Sequence, residues 1–191
     1  MFSASLHIMT NHSQKTDQIA GAFQDQFEIV GFQRTSLDAI ASSLHVSKKT
    51  IYKIFGSKRS ILEHIVRKKS IQISNKMEKQ LDALSTDRRK IEWLVSQAFQ
   101  LSGKRIKKGA VTKKRYKNEL LFSAYDKALF ESFRNSIKDG ARRNVFIVKD
   151  VNLTVKIIQG IIVCANQILI AKPNINVEPE ITRTVLKLLL P

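Results

Sequence analysis

The sequence predicts an all-α chain, with a small three-helix head at the N-terminus and a larger helical body behind it. Three observations carry this. Apolar residues recur three and four positions apart from Ile19 to near the C-terminus, the spacing that gathers them on one side of a helix. No run of alternating apolar and polar residues is long enough for a half-buried strand. The 191 residues include only seven glycines and three prolines, so few positions interrupt a helix.

The elements follow in order. Residues 1–14 have no long apolar stretch and are read as a polar, flexible tail. Ile19, Phe23, Phe27 and Val30 then form the stripe of a first helix. Gly31 ends it, because glycine takes the left-handed conformation a helix stop requires. Thr35 or Ser36 can cap a short second helix with Leu37, Ile40, Ala41 and Leu44 on one side. Only His45 and Val46 separate it from Ser47, which can cap a third helix carrying Ile51, Ile54 and Phe55.

Ser57 can cap a long fourth helix reaching Leu84, with Ile61, Leu62, Ile65, Val66, Ile73, Met77 and Leu81 at helical spacing. No glycine or proline falls between Ser57 and Leu84, so the link from head to body is stiff. A fifth helix begins beyond Asp87 and fades at Gly103. Three more are expected at 120–143, 151–171 and 180–190. The division this implies is a head at 15–60 and a body at 61–191.

The formal net charge of +17 bears on partners rather than fold. Nucleic acid and anionic membranes both suit it. The apolar stretch 153–171 is nearly long enough to span a bilayer, but Lys156, Gln159, Asn166 and Gln167 interrupt it, which predicts a buried or interface helix and no membrane partner. The N-terminus lacks a basic region followed by an apolar one, so no signal peptide is expected and the location is cytoplasmic. The single cysteine, Cys164, follows Ile161, Ile162 and Val163 and reads as an inert core thiol.

Two short helices joined by a tight turn make a helix-turn-helix unit, whose second helix can enter the major groove of DNA. At 100° per residue Ile51, Ile54 and Phe55 fall on one side of the third helix, and Lys49, Tyr52 and Lys53 on the other. Lysines supply charge for phosphates, the phenol supplies a directed hydrogen bond, and the helix N-terminus favours an anion. Three lysines alone are also what a solvated helix face carries.

The wording of the stretch from Ile19 to Leu62 goes further. Thr35-Ser36-Leu37-Asp38-Ala39-Ile40-Ala41, Val46-Ser47-Lys48-Lys49-Thr50-Ile51-Tyr52-Lys53-Ile54-Phe55 and Ser57-Lys58 together resemble the DNA-binding signature of the TetR family of transcriptional regulators. The resemblance implies a helix-turn-helix head on a ligand-binding, dimerising body. It implies that 47–55 is the recognition helix, over a small core of Ile40, Ala41, Val46, Ile51 and Phe55. Thr35 or Ser36 would hold a phosphate; Ser47 would cap the recognition helix; Lys48, Lys49 and Thr50 would lie nearest base edges, with Tyr52 and Lys58 on phosphates and Lys53 among the DNA-binding residues. His45 stands where the family has glycine, Gly56 where a bulkier residue is common, and Arg59 where an acid is frequent.

For the body the resemblance is to a general plan. It implies a homodimer through the last two helices, with Ile157, Ile161, Ala165 and Ile168 on one stripe and Ile181, Val185 and Leu188 on the other, and an unidentified small-molecule effector. Trp93, Phe99, Phe122 and Tyr125 are the pocket candidates. The basic stretch from Lys104 to Lys117 is expected to be a solvated loop. The remaining partner would be double-stranded DNA bearing a near-palindromic operator, read by a repressor that its ligand releases.

The histidines and the cysteine lack metal-ligand spacing, and no nucleophile motif, P-loop or dinucleotide fingerprint occurs, so no metal, cofactor or enzymatic activity is expected. Two competing readings remain: a non-specific nucleic-acid-binding protein that exploits the charge, and a helical small-molecule-binding protein that has lost DNA binding. The lysine-rich face disfavours the second.

Overall fold

The computed structural model describes the backbone at residues 2–108, 115–172 and 174–190, and side chains at 13–102, 116–172 and 174–190. Among these residues there are eight helices and no strand: α1 (Phe2–Arg34), α2 (Leu37–Ser43), α3 (Lys48–Phe55), α4 (Lys58–Asp82), α5 (Asp87–Lys108), α6 (Arg115–Arg142), α7 (Val151–Ala171) and α8 (Glu178–Leu189). The chain divides into two compact units, Met1–Lys69 with Lys113–Leu121, and Ser70–Thr112 with Phe122–Pro191. The division therefore falls inside α4, at 69/70, where the sequence had placed it at 60/61.

The first unit closes over Ile19, Phe23, Phe27, Ile40, Ile51 and Ile61, with Leu120 of α6 completing the cluster. Gly31 interrupts α1 with φ 79° and ψ 174°, a conformation open essentially to glycine. It also leaves room for Tyr116, whose ring would stand 2.5 Å from a Cβ added at this position. Where a tail was expected, α1 runs from Phe2. Nothing before Gly21 is a glycine or proline, so helical hydrogen bonding extends upstream from the anchored stripe.

The second unit is built on α5, which packs on α7 and α8. Ile91, Leu94, Val95, Phe133, Ile137, Ile158, Val185 and Leu189 are its most enclosed side chains. α5 continues through Gly103 to Lys108, since a single glycine costs a helix only about 1 kcal/mol. α7 is long and apolar enough to cross a membrane. One of its sides, Val155, Ile158, Ile162 and Ala165, is nevertheless buried in this core.

Several of the dimer-stripe candidates separate here. Ala165 and Val185 are buried within the subunit, so neither is free to face a partner; Ile157, Ile168 and Leu188 are exposed, and Ile161 and Ile181 are half-buried. The outward side of α7 is instead Leu153, Ile157, Ile161, Cys164 and Ile168, which fall within about 80° of one another. Cys164 is accordingly exposed and not a core thiol. The three apolar residues before it spread around the helix, and only Ile162 of them is buried.

A candidate nucleic-acid interface on the head

α2 and α3 are short helices, and each is started by a serine. The Ser36 hydroxyl accepts from the Ala39 N–H at 3.3 Å, and the Ser47 hydroxyl accepts from the Thr50 N–H at 3.0 Å. Caps of this kind contribute about 1 kcal/mol each, a large share for helices of two turns. Between them His45 takes φ 51°, and its N–H and that of Val46 close the turn onto the Ser42 and Ala41 carbonyls at 3.2 and 3.0 Å. A non-glycine residue in this conformation costs roughly 1 kcal/mol, which the closed turn offsets. Gly56 ends α3 with φ 75°, which accounts for glycine where bulk is common.

Ile51 anchors α3, with 1% of its surface exposed; Ile54 and Phe55 pack beside it, and Ile40 and Ala41 of α2 are buried against the same cluster. Val46 is half-buried at its edge. The opposite side of α3 presents Lys49, Tyr52 and Lys53, all exposed. The sequence expectation for this helix thus agrees with its geometry residue by residue.

The basic side chains are not equivalent. Lys48 Nζ donates to Asp38 Oδ2 at 2.9 Å, and this carboxylate on α2 raises the lysine above its usual pKa. Lys58 Nζ donates to the Gln33 carbonyl at 3.3 Å and lies 4.8 Å from the centre of the Phe32 ring. Neither the pairing of Asp38 with Lys48 nor the Phe32–Gln33 seat of Lys58 figured in the sequence reading. An acid ten positions before Lys48, and an aromatic just after Gly31, were the available signals.

Of the two phosphate-holding candidates, Thr35 is buried and Ser36 lies at the surface. Thr35 is 4% exposed and its hydroxyl donates to the Gly31 carbonyl at 2.8 Å, because the chain turns inward where α1 ends. The Ser36 N–H is held by Gln26 Oε1 at 2.8 Å, and its hydroxyl stays near the surface at the start of α2. Thr50 is half-buried, its hydroxyl 2.9 Å from that of Ser47.

Residues 24–65 match the family described as "Bacterial regulatory proteins, tetR family". The head thus carries the DNA-binding domain of that family. The matched domain is that of DNA-binding transcriptional regulators, and it covers α2 and α3 entire. No curated protein matches the sequence. Among solved structures, RolR without ligand aligns with a TM-score of 0.53 at 13% identity, over 90% of this chain and 88% of that one, which is a likeness of fold. FadR from Bacillus subtilis in complex with stearoyl-CoA aligns at 0.47 and 20%, over 90% and 95%. A putative TetR-family transcriptional regulator from Mesorhizobium loti aligns at 0.48 and 18%, over 91% and 92%.

In the body the aromatic pocket candidates are spent on packing. Phe99 is 7% exposed in the core, and Trp93 and Tyr125 lean on it. The Tyr125 hydroxyl donates to Gln97 Oε1 at 3.1 Å, and burial pushes its phenol above the usual pKa. Phe122 is half-buried. Two cavities of the body are lined by other residues. One, of about 700 Å³, lies between α5 and α8 and is bordered by Arg88, Glu92, Arg183, Leu186 and Lys187; the other lies among α4, α5 and α6. Aromatic side chains at helical spacing fill the joints between helices, so openings form where charged side chains keep helices apart. The basic stretch from Lys104 to Lys117 lies mostly outside the described residues. At its end Lys117 pairs with Glu28 at 3.5 Å.

Proposed function

We propose that the protein is a sequence-specific, homodimeric repressor that presents α3 to the major groove and leaves its operator when a small molecule binds the body. The observation that carries this reading is the two-sided build of α3, with Ile51 sealed beneath and Lys49, Tyr52 and Lys53 exposed at a capped N-terminus. Lys48, Lys49, Thr50 and Lys53 read bases; Ser36, Tyr52 and Lys58 hold phosphates and set the register. Base contacts specify and phosphate contacts position.

A dimer brings two such helices to successive major grooves, roughly 34 Å apart. The outward side of α7, with Leu153, Ile157 and Ile168 each about half exposed or more, supports this surface as the place where the copies meet, together with Leu188 of α8. A ligand acts to the extent that it prefers the state whose heads no longer match the operator. α4 is the transmitter in this reading, being one unbroken helix with residues 58–69 in the head unit and 70–82 in the body unit.

The test is selection of bound duplexes from a random pool at physiological salt. A near-palindromic site with half-sites about one helical turn apart is expected. Recovery of unrelated sequences with equal affinity would favour the non-specific nucleic-acid-binding alternative, and recovery of none would leave a binding protein without a DNA function.

A further inference from the structure

His64 stands about two turns into α4, where the ring of Phe55, the last residue of α3, meets it edge-on with 5.5 Å between centres. Between the two helices lie only Gly56, at φ 75°, and Ser57, whose hydroxyl caps α4 by accepting from the Ser60 N–H at 3.0 Å. A Cβ at Gly56 would meet nothing within 4 Å, so setting the angle of α3 at this joint falls to side-chain contacts such as that of Phe55 with His64. We infer that His64 is a proton-operated latch on the end of α3, and that acidification opens it and releases the head from its operator. The latch follows from the geometry of the head; its effect on DNA rests on the reading of α3 as the helix that enters the major groove.

The ring is built into one charge state. Arg67 can only donate, and its Nη2 lies 3.4 Å from His64 Nδ1, so that nitrogen accepts and the single proton of the neutral ring is assigned to Nε2. Nε2 is buried and has no hydrogen-bond partner among the described residues. A second proton must go to Nδ1, the atom that faces the guanidinium.

Protonation there breaks the contact with Arg67 and sets two cations side by side. It also leaves the Nε2–H of a charged ring without an acceptor, which is costlier than the same orphan on a neutral ring. Turning the ring out into water relieves both, and because His64 is only half-buried the path is short. Phe55 then loses its partner, and the end of α3 is held by its neighbours Ile51 and Ile54 alone.

The surrounding charges set the sign. Burial and then Arg67 hold the imidazole below its usual 6.5, against the opposing pull of Asp17 from α1, with Lys68 of α4 adding slightly; α3 faces the ring with the uncharged Phe55. Asp17 is itself engaged, its Oδ1 2.7 Å from Lys68 Nζ. A ring turned out into water takes the proton first, so the closed latch is favoured above about pH 6.5 and loses that advantage as the pH falls below it. Charge alone would act the other way, because one more cation on a basic head attracts the phosphates of any duplex.

Two measurements on the full chain test this. Without DNA, hydrogen exchange of the α3 amides, corrected for the intrinsic effect of pH, should lose roughly three- to tenfold in protection between about pH 7.5 and about pH 5.5, and H64Q should show no such loss. On the duplex recovered by selection at neutral pH, wild-type affinity should fall by a similar factor over the same range, while affinity for a scrambled duplex should not fall and H64Q should stay level on both. R67Q keeps the ring and removes the cation at Nδ1, so its transition should move to higher pH, and it serves if H64Q does not fold. Protection of α3 that stays level or rises on acidification would overturn the latch, the rise by showing that the charged ring holds Phe55 more tightly. Equal pH dependence in H64Q, or an equal fall on both duplexes, would overturn the proposed release. Recovery of no duplex would count against the DNA reading, and the exchange measurement would still decide the latch.

Discussion

Gly140 and Phe146 form a contact that tolerates no added atom, and it yields a prediction with a sign. A Cβ at Gly140 would stand 2.2 Å from Phe146 Cδ2 and 2.5 Å from Cε2. Phe146 is 3% exposed in the body core, and its N–H and that of Val145 donate to the Gly140 carbonyl at 3.3 and 2.9 Å. Carbon atoms rest about 3.5–4.0 Å apart, so in Gly140→Ala the ring must move by more than about 1 Å inside a close-packed core. Overpacking of this kind costs about 1–3 kcal/mol, and full loss of the ring would cost about 3–5 kcal/mol. Against it stands a gain of up to about 1 kcal/mol for alanine over glycine in a helix. Gly140→Ala should therefore destabilise the body by about 1–2 kcal/mol, yet stabilise a Phe146→Ala background by up to about 1 kcal/mol. Trp93 is the chain's single tryptophan and packs on this core, so its fluorescence during urea unfolding reports the right unit. Equal effects of Gly140→Ala in the two backgrounds would refute the reasoning, because no coupling would then exist between the positions.

Three further outcomes follow from the structure. Burial, with Arg67 alongside, holds His64 below its usual pKa of 6.5, with Asp17 opposing and Lys68 adding slightly, while its ring meets Phe55 edge-on. The unfolded chain then binds the proton first, so head stability is full above about pH 6.5 and falls as pH drops below it; His64→Gln should flatten that slope in thermal melts, and an unchanged slope would exonerate the histidine. On selected and scrambled duplexes, Lys58→Ala should weaken binding to both alike and lower the salt slope by about 1 per head. Lys49→Ala should cost about 1–3 kcal/mol of discrimination at one base position, and anisotropy titrations showing the same pattern for both would undo the division of roles. Cys164 should react quickly with a maleimide at high dilution and slowly once the copies associate, whereas Ile157→Glu should keep it fast throughout; labelling independent of wild-type concentration would mean that nothing covers α7.

The head was legible because its signals are local. Ser36, Ser47 and Gly31 act on their own neighbours, and the period of Ile40, Ile51 and Phe55 sets the buried side within one or two turns. His45 was flagged as a departure, and its φ of 51° is the conformation that the position demands. What escaped was non-local: Tyr116 closing over Gly31 from eighty-five positions away, or Asp38 reaching Lys48 across the turn. In the body the difficulty was angular. Ile157, Ile161, Ala165 and Ile168 do share a stripe, but it straddles the boundary between the inward side, centred near Ile162, and the outward side, centred near Ile157. Apolar residues cover both sides of α7, so periodicity alone could not say where core ends and surface begins.

The tethering of Lys48 bears on how the head meets DNA. Its Asp38 partner is 72% exposed and the lysine 46%, so the pair is solvated and screened, and gives way readily to another anion. A phosphate or a guanine edge can take the ammonium without leaving a buried charge behind, and the freed Asp38 stays in water at the first turn of α2, where the helix field favours it. Lys58, resting against Phe32 and the Gln33 carbonyl, is held differently: neither partner carries a charge, so an arriving phosphate adds to its contacts instead of replacing them. Removing Asp38 would thus loosen Lys48 without changing what Lys58 does. That separates two kinds of basic side chain on the head, one tethered by a charge and one by uncharged groups.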